Sequence, residues 1–206
     1  MEIKTEHKVS CIDVSSDGLW IAYSSHQYIT IWSVVLKRPV QTLKQHSFVT
    51  NVAFSKNGQW LASASVDNTI RIWDTALWNN IQILKEHKMG ISCLAFSFDG
   101  KWLASGGSHD KTVKIWNTNT WKLEKTLNYG YIVSSVAFFP NNLWIACAGD
   151  FPMTQIWKIS DWQPLQTLRN VDEKTIFSLA ISMDGKWLVN GCENEVKFWN
   201  TNTWNY

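Results

Sequence analysis

The sequence has almost no excess charge of either sign, because 19 basic side chains stand against 17 acidic ones among its 206 residues. Like charges are not gathered into runs, whereas a domain that binds nucleic acid usually has a concentrated basic face. The longest unbroken apolar run is the six residues 143–148, and a membrane-spanning helix needs about 20. We therefore expect neither a nucleic-acid partner nor a membrane partner.

Targeting and catalytic motifs are also lacking. The first ten residues contain no apolar segment that could act as a signal peptide, so we expect a cytoplasmic protein. There is no glycine-rich phosphate loop and no sharp strand-to-helix turn that would present a catalytic serine. No segment repeats its apolar residues with the 3.6-residue period of a helix. These absences argue against an enzyme, and we expect no cofactor.

Tryptophan is the residue in excess, with 14 copies. All of them fall into three series, in which neighbouring members lie 40 to 43 residues apart. The first series is Trp32, Trp73, Trp116, Trp157 and Trp199. The second series is Trp20, Trp60, Trp102, Trp144 and Trp187. The third series is Trp78, Trp121, Trp162 and Trp204. This spacing indicates five repeats of about 42 residues each.

Each repeat contains four short apolar runs with the β-branched and aromatic content that is typical of strands. One run in every repeat ends on a first-series tryptophan, as in IRIW at 70–73. Two other runs are separated by a turn segment such as SKNG at 55–58 or SFDG at 97–100. Asn-Gly and Asp-Gly favour tight hairpins because glycine accepts a positive φ. The sequence therefore predicts an all-β protein with four strands per repeat.

Two segments carry the residues of a known family. They are HSFVTNVAFSKNGQWLASASVDNTIRIWD at 46–74 and HKMGISCLAFSFDGKWLASGGSHDKTVKIWN at 87–117. Both resemble WD repeats of the β-propeller family, and the resemblance extends over the whole chain. It implies a single domain, 1–206, built as a β-propeller of four-stranded antiparallel blades with five WD-type repeats. The expected repeat bounds are 1–44, 45–85, 86–128, 129–169 and 170–206.

Five repeats leave three arrangements open, since the family more often uses seven blades and the known range is about 4–8. They are a closed five-blade ring, an open arc cut from a larger propeller, and arcs that pair between two copies. An open arc would expose two apolar blade faces and would allow self-association. Of the three, we favour the arc of a larger propeller.

The second and third tryptophan series flank turns, which leaves two interpretations of their indoles. They either pack between neighbouring blades or form an exposed aromatic collar that binds a glycan or a peptide. Packing between blades is the interpretation that we favour.

The resemblance assigns a structural role to four polar positions. In the family they form a hydrogen-bond chain from an indole N–H to a hydroxyl, an imidazole and a carboxylate. The two complete sets are His46, Ser63, Asp67 and Trp73, and His87, Ser105, Asp110 and Trp116. A buried polar group that is left unpaired costs about 1–3 kcal/mol. The first, fourth and fifth repeats lack the full set, so we expect those blades to open more easily.

The same serine, histidine and aspartate could instead form a hydrolytic triad. A serine that accepts a hydrogen bond from tryptophan inside a sheet is not exposed as a nucleophile, and the trio occurs in two repeats. A hydrolase is therefore the less favoured alternative. A metal site is also disfavoured, because the repeat histidines lie about 40 residues apart and no close His/Cys pair has zinc spacing.

We expect a non-enzymatic scaffold that binds a partner protein or peptide, since propellers present loops on a rigid framework. The alternative is a sensor or autoinhibitory segment of a larger signalling protein. The expected binding face is formed by the turns around the central opening. Its candidate contacts are large apolar or aromatic side chains in those turns, although they could also merely cover the strand ends. These residues are Phe48, Val66, Met89, His109, Tyr129, Tyr131 and Phe151.

Overall fold

The computed structural model describes Thr5 and residues 7–44, 47–170 and 174–205. In these residues every regular element is a β-strand. They contain no helix that is long and apolar enough to cross a membrane. The strands form five antiparallel sheets, four with four strands and one with three. The all-β fold with propeller blades that the sequence predicts is therefore confirmed.

Each sheet is one blade, in which every strand pairs with the next along the chain. Blade 1 consists of β1 (Cys11–Val14), β2 (Trp20–Ser25), β3 (Tyr28–Ser33) and β4 (Arg38–Lys44). Blade 2 consists of β5 (Val49–Phe54), β6 (Trp60–Ser65), β7 (Ile70–Asp74) and β8 (Asn80–Leu84). Blade 3 consists of β9 (Ile91–Phe96), β10 (Trp102–Gly107), β11 (Thr112–Asn117) and β12 (Leu123–Asn128). Blade 4 consists of β13 (Val133–Phe138), β14 (Trp144–Gly149), β15 (Met153–Lys158) and β16 (Pro164–Arg169). Blade 5 consists of β17 (Ile176–Ile181), β18 (Trp187–Cys192) and β19 (Val196–Asn200).

The turn between the first two strands of a blade is fixed by its own side chains. In blade 3 the Ser97 hydroxyl donates to Asp99 Oδ1 at 2.7 Å, and the Trp102 backbone N–H donates to Ser97 Oγ at 3.0 Å. Gly100 has a φ of +70°, a backbone angle that residues with a side chain rarely adopt. Blade 4 places Asn142 there with a φ of 55°. Asparagine is the residue that best tolerates this conformation after glycine.

The first strands of the five blades surround one central cavity of ≈ 430 Å³. They contact one another in the order β1, β5, β9, β13 and β17. Hydrogen bonds join the blades as well: the Phe54 N–H in β5 donates to Asp13 Oδ2 in β1 at 2.7 Å. Within the described ranges, no contact of similar extent joins β17 back to β1.

The third strand of each blade supplies side chains to two different interfaces, because successive residues of a strand point to opposite faces. In β7, Ile70 and Ile72 pack in a cluster with Ile91 and other side chains of blade 3. Trp73 packs instead with apolar residues of blade 1. In blades 2 to 5 the first-series tryptophan is therefore buried against the preceding blade. In blades 1 to 4 the aliphatic residues before it are buried against the following blade.

The other two tryptophan series meet each other across the blade interfaces. The second-series indole of one blade lies edge-on or tilted against the third-series indole of the next blade, with ring centroids 5.4–5.7 Å apart. The pairs are Trp20–Trp78, Trp60–Trp121, Trp102–Trp162 and Trp144–Trp204. Packing between blades is thus confirmed for these indoles, and the exposed aromatic collar is wrong for them.

The two end blades leave apolar side chains exposed at positions that are buried elsewhere. In β19, Val196 and Phe198 are 59% and 55% exposed, whereas Ile70 and Ile72 at the same positions of β7 are 0% exposed. At the other end, Ile12 in β1 is 63% exposed. Between blade 5 and blade 1 the described residues therefore lack the kind of interface that joins the other blades.

Substituting the same position in two blades tests this difference. Ile156→Ala in blade 4 removes a wholly buried side chain, so we expect the free energy of unfolding to fall by about 2–5 kcal/mol. Phe198 stands at the equivalent position of blade 5, where its ring faces solvent. Phe198→Ala should therefore lower the free energy of unfolding by less than about 1 kcal/mol. Urea denaturation of both variants measures the two costs. A Phe198→Ala cost as large as that of Ile156→Ala would mean that blade 5 is covered, either by blade 1 in a closed ring or by a second copy.

Candidate functional site

The predicted hydrogen-bond chain is complete in blade 3. Trp116 Nε1–H donates to Ser105 Oγ at 2.9 Å. Ser105 Oγ lies 2.7 Å from His87 Nε2, and His87 Nδ1 lies 2.6 Å from Asp110 Oδ2. The other Asp110 oxygen accepts hydrogen bonds from the backbone and the hydroxyl of Thr112. The chain thus ties β10 and β11 to the segment that precedes β9.

The hydrogen bonds of this chain are satisfied by one consistent set of proton positions. A carboxylate only accepts, so Nδ1 of His87 carries the proton and donates to Asp110. The Ser105 oxygen accepts from Trp116, which leaves its own proton free to be donated to Nε2 of His87. A neutral imidazole therefore satisfies all of these partners.

Burial acts in the same direction on the histidine. It lowers the pKa of His87 below the usual 6.5, although the hydrogen bond to Asp110 partly opposes it. For Asp110, burial alone would raise the pKa, but the hydrogen bonds from His87, the Lys88 backbone and Thr112 outweigh it. The pKa of Asp110 is lowered as a result. Neutral histidine next to carboxylate is thus the stable state near neutral pH.

This geometry supports a structural role and not a hydrolytic triad. Ser105 is 0% exposed, and its hydroxyl is engaged by two partners inside the sheet. A serine nucleophile must instead reach a substrate carbonyl from a cleft. Among the residues that the structure describes, no three His, Cys, Asp or Glu side chains are grouped so that they could hold a metal ion.

In blade 2 the same chain is seen in part. Trp73 Nε1–H donates to Ser63 Oγ at 2.9 Å. Asp67 Oδ1 accepts from the backbone and the hydroxyl of Thr69, as Asp110 does from Thr112. His46 lies outside the described residues, so the complete set of blade 2 stays a prediction.

The remaining blades replace the chain with other contacts. In blade 1 the buried Nε1 of Trp32 has no hydrogen-bond partner within the described residues, since Tyr23 stands at the serine position. In blade 4, Cys147 occupies that position and is wholly buried. In blade 5, Asn190 Oδ1 accepts a hydrogen bond at 3.2 Å from the Thr154 hydroxyl of blade 4.

The candidate contact residues lie at the end of the sheets where two kinds of turn meet. One kind joins the second and third strands of a blade, and the other joins the last strand of a blade to the next blade. Backbone hydrogen bonds connect them: Val66 N–H donates to the Phe48 carbonyl at 3.1 Å, and Ser108 N–H donates to the Gly90 carbonyl at 2.7 Å. We call this end of the molecule the loop face.

The loop face exposes most of the side chains that the sequence singled out. Phe48, Val66, Met89, His109 and Tyr131 are exposed, and Phe151 is half-buried. Tyr129 corrects the sequence-based expectation, because it is only 3% exposed and belongs to the core between blades 3 and 4. Its hydroxyl donates to the Met153 carbonyl at 2.7 Å. Because its side chain is buried, Tyr129 is not available for direct contact with a partner.

Two aromatic clusters are formed by these residues. In the blade 4 cluster, Tyr131 and Phe151 stack with ring centroids 4.0 Å apart and an interplanar angle of 13°, and Tyr129 meets Tyr131 edge-on at 6.0 Å. In the blade 1 cluster, His26 lies between His7 and Phe48 at 5.1 and 4.9 Å. Met89 and His109 stand in turns of blade 3 outside both clusters.

The blade 1 cluster also borders a pocket that sequence analysis did not identify. The pocket has a volume of ≈ 490 Å³ and is lined by His7, His26, Gln27, Tyr28, Ser47 and Phe48. The pocket is hard to predict from the sequence, because its lining comes from three separate segments. The one available hint is His26, which stands where the family places the aspartate of the hydrogen-bond chain.

Comparison with known families agrees with the architecture. The family model described as WD domain, G-beta repeat matches residues 2–33, 37–74, 78–117 and 162–200, which together exceed half of the chain. The chain belongs to the WD40 family. Most of the fourth repeat falls outside these matches, yet the structure forms blade 4 there. This WD40 chain thus keeps the blade fold where its family residues are weakest.

Several curated proteins resemble the chain over most of its length. It is 29% identical over 74% of its residues to small ribosomal subunit protein RACK1 of Drosophila melanogaster. It is 28% identical over 78% to cell division cycle 20.1, cofactor of APC complex, of Arabidopsis thaliana. Over 61% it is 32% identical to the transcriptional corepressor LEUNIG_HOMOLOG of the same plant. The chain spans 51%, 38% and 16% of the lengths of these relatives.

The hydrogen-bond chain of blade 3 predicts a pH-dependent stability. The unfolded chain binds a proton at His87 near pH 6.5, whereas the folded chain binds it only at lower pH. The free energy of unfolding should therefore fall as the pH drops below 6.5. His87→Gln should cost about 1–3 kcal/mol at pH 7.5, and the difference from the unmodified chain should shrink towards pH 5.

Urea denaturation at several pH values measures this difference. His109→Gln is the matched control, because His109 is exposed and its Nδ1 lies 3.1 Å from the Ser108 hydroxyl, outside the hydrogen-bond chain. A gap between His87→Gln and the unmodified chain that stays constant or widens at low pH would show that His87 is charged in the folded state.

Proposed function

We propose that the chain is a non-enzymatic scaffold that binds a partner protein or peptide on its loop face. The observation that carries the proposal is the stacked pair of the blade 4 cluster. Tyr131 and Phe151 present aromatic surface to solvent, and Tyr129 holds them from the core side. Ordered aromatic side chains lose little conformational entropy on binding, which makes them effective anchors of an interface.

The chemistry of the loop face suits a peptide. The pocket of the blade 1 cluster combines aromatic rings with the hydrogen-bonding groups of Gln27, Ser47 and Tyr28. Such a lining can take an apolar side chain of a ligand and still pair the polar backbone atoms next to it. Among the described residues that line the pocket, none is acidic and none is a lysine or an arginine. A neutral or aromatic peptide segment is therefore a better fit than a highly charged one.

The relatives support this class of function. Their names describe a corepressor and a cofactor of a complex, and WD40 domains generally act through protein interactions. The chain covers only part of each relative, so the particular partners of those proteins are not transferred to it. The buried position of Ser105 supports a non-enzymatic role, because the arrangement nearest to a triad cannot reach a substrate. We also propose that the protein is located in the cytoplasm.

A double substitution on the loop face tests the proposal. Phe48→Ala with Tyr131→Ala removes one exposed ring from each cluster, and we expect the melting temperature to change by no more than a few degrees. Partner affinity should fall by at least about 1 kcal/mol, or about fivefold. The partner is first isolated by affinity capture and mass spectrometry, and its Kd is then measured by calorimetry.

The control is Leu19→Ala with Leu143→Ala. Both leucines are exposed, and both lie in the turns at the opposite end of blades 1 and 4. If the leucine variant loses affinity and the aromatic variant does not, the partner uses the opposite end of the sheets. If neither variant loses affinity, the proposed loop-face interaction is wrong.

A further inference from the structure

The turn between β5 and β6 in blade 2 contains an asparagine that is followed by glycine. Asn57 is exposed to solvent, and Gly58 has a φ of +71°. A Cβ placed on Gly58 would meet no atom within 4 Å, so the space around its backbone nitrogen is open. Glycine offers no side chain that would hinder attack of this nitrogen on the amide of the preceding asparagine. The turn therefore carries a chemically labile pair of residues at the surface.

In three other blades the position of Asn57 is occupied by an aspartate. In each of them a serine hydroxyl two residues earlier donates to the carboxylate at 2.5–2.7 Å. Asn57 Oδ1 accepts the equivalent bond from the Ser55 hydroxyl at 2.7 Å and a second one from the Gln59 backbone N–H at 3.1 Å. The carboxamide oxygen thus takes the place of a carboxylate oxygen in this turn. The three aspartates are Asp17, Asp99 and Asp184.

In the folded turn the two groups that would react are held by other partners. The Gly58 N–H donates to the Ser55 carbonyl at 3.0 Å. Asn57 Nδ2 donates to Gln59 Oε1 at 3.1 Å, while its Oδ1 is held by the Ser55 hydroxyl. Ser55 is 0% exposed, and its hydroxyl oxygen accepts from the Trp60 backbone N–H at 2.9 Å. A reaction between Gly58 and Asn57 therefore requires the turn to open locally.

We propose that Asn57 is a site of spontaneous deamidation, and that local opening of the blade 2 turn sets its rate. In the open turn the Gly58 nitrogen gives its proton to hydroxide and bonds to Asn57 Cγ. The bond between Cγ and Nδ2 then breaks, and ammonia leaves. Water opens the resulting cyclic imide at either carbonyl. Attack at Cγ gives aspartate with the normal backbone, whereas attack at the main-chain carbonyl gives isoaspartate, in which the chain continues through Cγ.

The two products fit the turn differently. Aspartate at position 57 can accept the bonds from Ser55 and the Gln59 backbone, as the aspartates of the other blades accept theirs, and it loses only the bond from Nδ2. Isoaspartate adds a methylene group to the backbone, so the Gly58 N–H no longer stands opposite the Ser55 carbonyl. The turn leads directly into Trp60, which packs on Trp121 of blade 3 at 5.7 Å. Isoaspartate therefore weakens the hairpin that presents this indole.

The reaction is separate from the proposed peptide binding. The turn of Asn57 lies at the opposite end of the sheets from the loop face, and the tests below need no binding partner. Their outcome is thus independent of whether the loop face binds a peptide.

A second asparagine–glycine pair in the chain provides an internal control. Asn190 precedes Gly191 inside β18 and is 0% exposed. Its Oδ1 accepts a hydrogen bond from the Thr154 hydroxyl at 3.2 Å, and β18 pairs with β17 and β19. Deamidation of Asn190 requires the sheet to separate, whereas deamidation of Asn57 requires only one turn to open. We therefore expect Asn57 to deamidate at least about 10-fold faster than Asn190 in the folded chain.

Mass spectrometry of the full chain after incubation at mildly alkaline pH measures both rates. Trypsin cleaves after Lys56 and Lys186, which places the two pairs in different peptides. Electron-transfer fragmentation distinguishes isoaspartate from aspartate. Asn57→Asp should abolish the mass change of the first peptide and shift the melting temperature by no more than a few degrees. In urea, where no turn protects either pair, the two rates should become similar.

Substitutions in the turn test whether its hydrogen bonds set the rate. Ser55→Ala should raise the Asn57 rate at least about fivefold, since one hydrogen bond of ordinary strength shifts an opening equilibrium by about that factor. Ser97→Ala removes the equivalent serine of blade 3 and should leave the Asn57 rate unchanged. Gln59→Ala changes an exposed residue and frees Nδ2, so it should raise the rate even if Ser55→Ala disturbs the fold. The Asn190 rate in each variant reports any general unfolding.

Three results would overturn the inference. If Asn57 and Asn190 deamidate equally fast in the folded chain, the reaction follows general unfolding and not the opening of one turn. If Asn57 reacts in urea but not in the folded chain, the turn does not open enough to be a modification site. If neither Ser55→Ala nor Gln59→Ala is faster than Ser97→Ala, the hydrogen bonds of the turn do not set the rate.

Discussion

The contact between neighbouring blades is the interaction on which the rest of this structure depends. No single blade can bury its apolar residues, because a four-stranded sheet has two faces and no layer of its own to cover either. Trp73 is buried only because blade 1 stands on one side of it, and Ile72 only because blade 3 stands on the other. Stability is therefore shared along the series of blades and is least where a blade has one neighbour.

This constraint explains which features the sequence predicts well. A residue that recurs at every interface must recur in the sequence at the length of one blade, so the spacing of the tryptophans revealed the repeat, the strands and the number of blades. Which tryptophan series contact each other was harder to predict from the sequence. The sequence placed Trp60 and Trp121 near turns, but only the packing of one blade on the next shows that they touch.

The candidate site was less predictable, because its residues do not repeat. Tyr129 and Tyr131 occupy one turn and differ by two positions, yet one is buried and the other exposed. The difference depends on the Met153 carbonyl, which lies 24 residues further along the chain and accepts the Tyr129 hydroxyl. The pocket beside Phe48 depends likewise on His7 and His26 from other segments. Contacts of this kind depend on the tertiary structure, and they do not produce a repeating pattern in the sequence.

The two ends of the sheets are held together by different interactions. The indole pairs hold neighbouring blades together at the end that carries the Ser-x-Asp/Asn-Gly turns. The hydrogen-bond chain of His87 and Asp110 fixes the opposite end only in the middle of the series. Blades 1 and 4 lack that chain and carry the two aromatic clusters in the turns it would occupy: His26 and Phe151 stand at the aspartate position. At this position His26 packs on Phe48 and Phe151 stacks on Tyr131, so the hydrogen-bond chain is lost and an aromatic contact is gained at the same place in the blade.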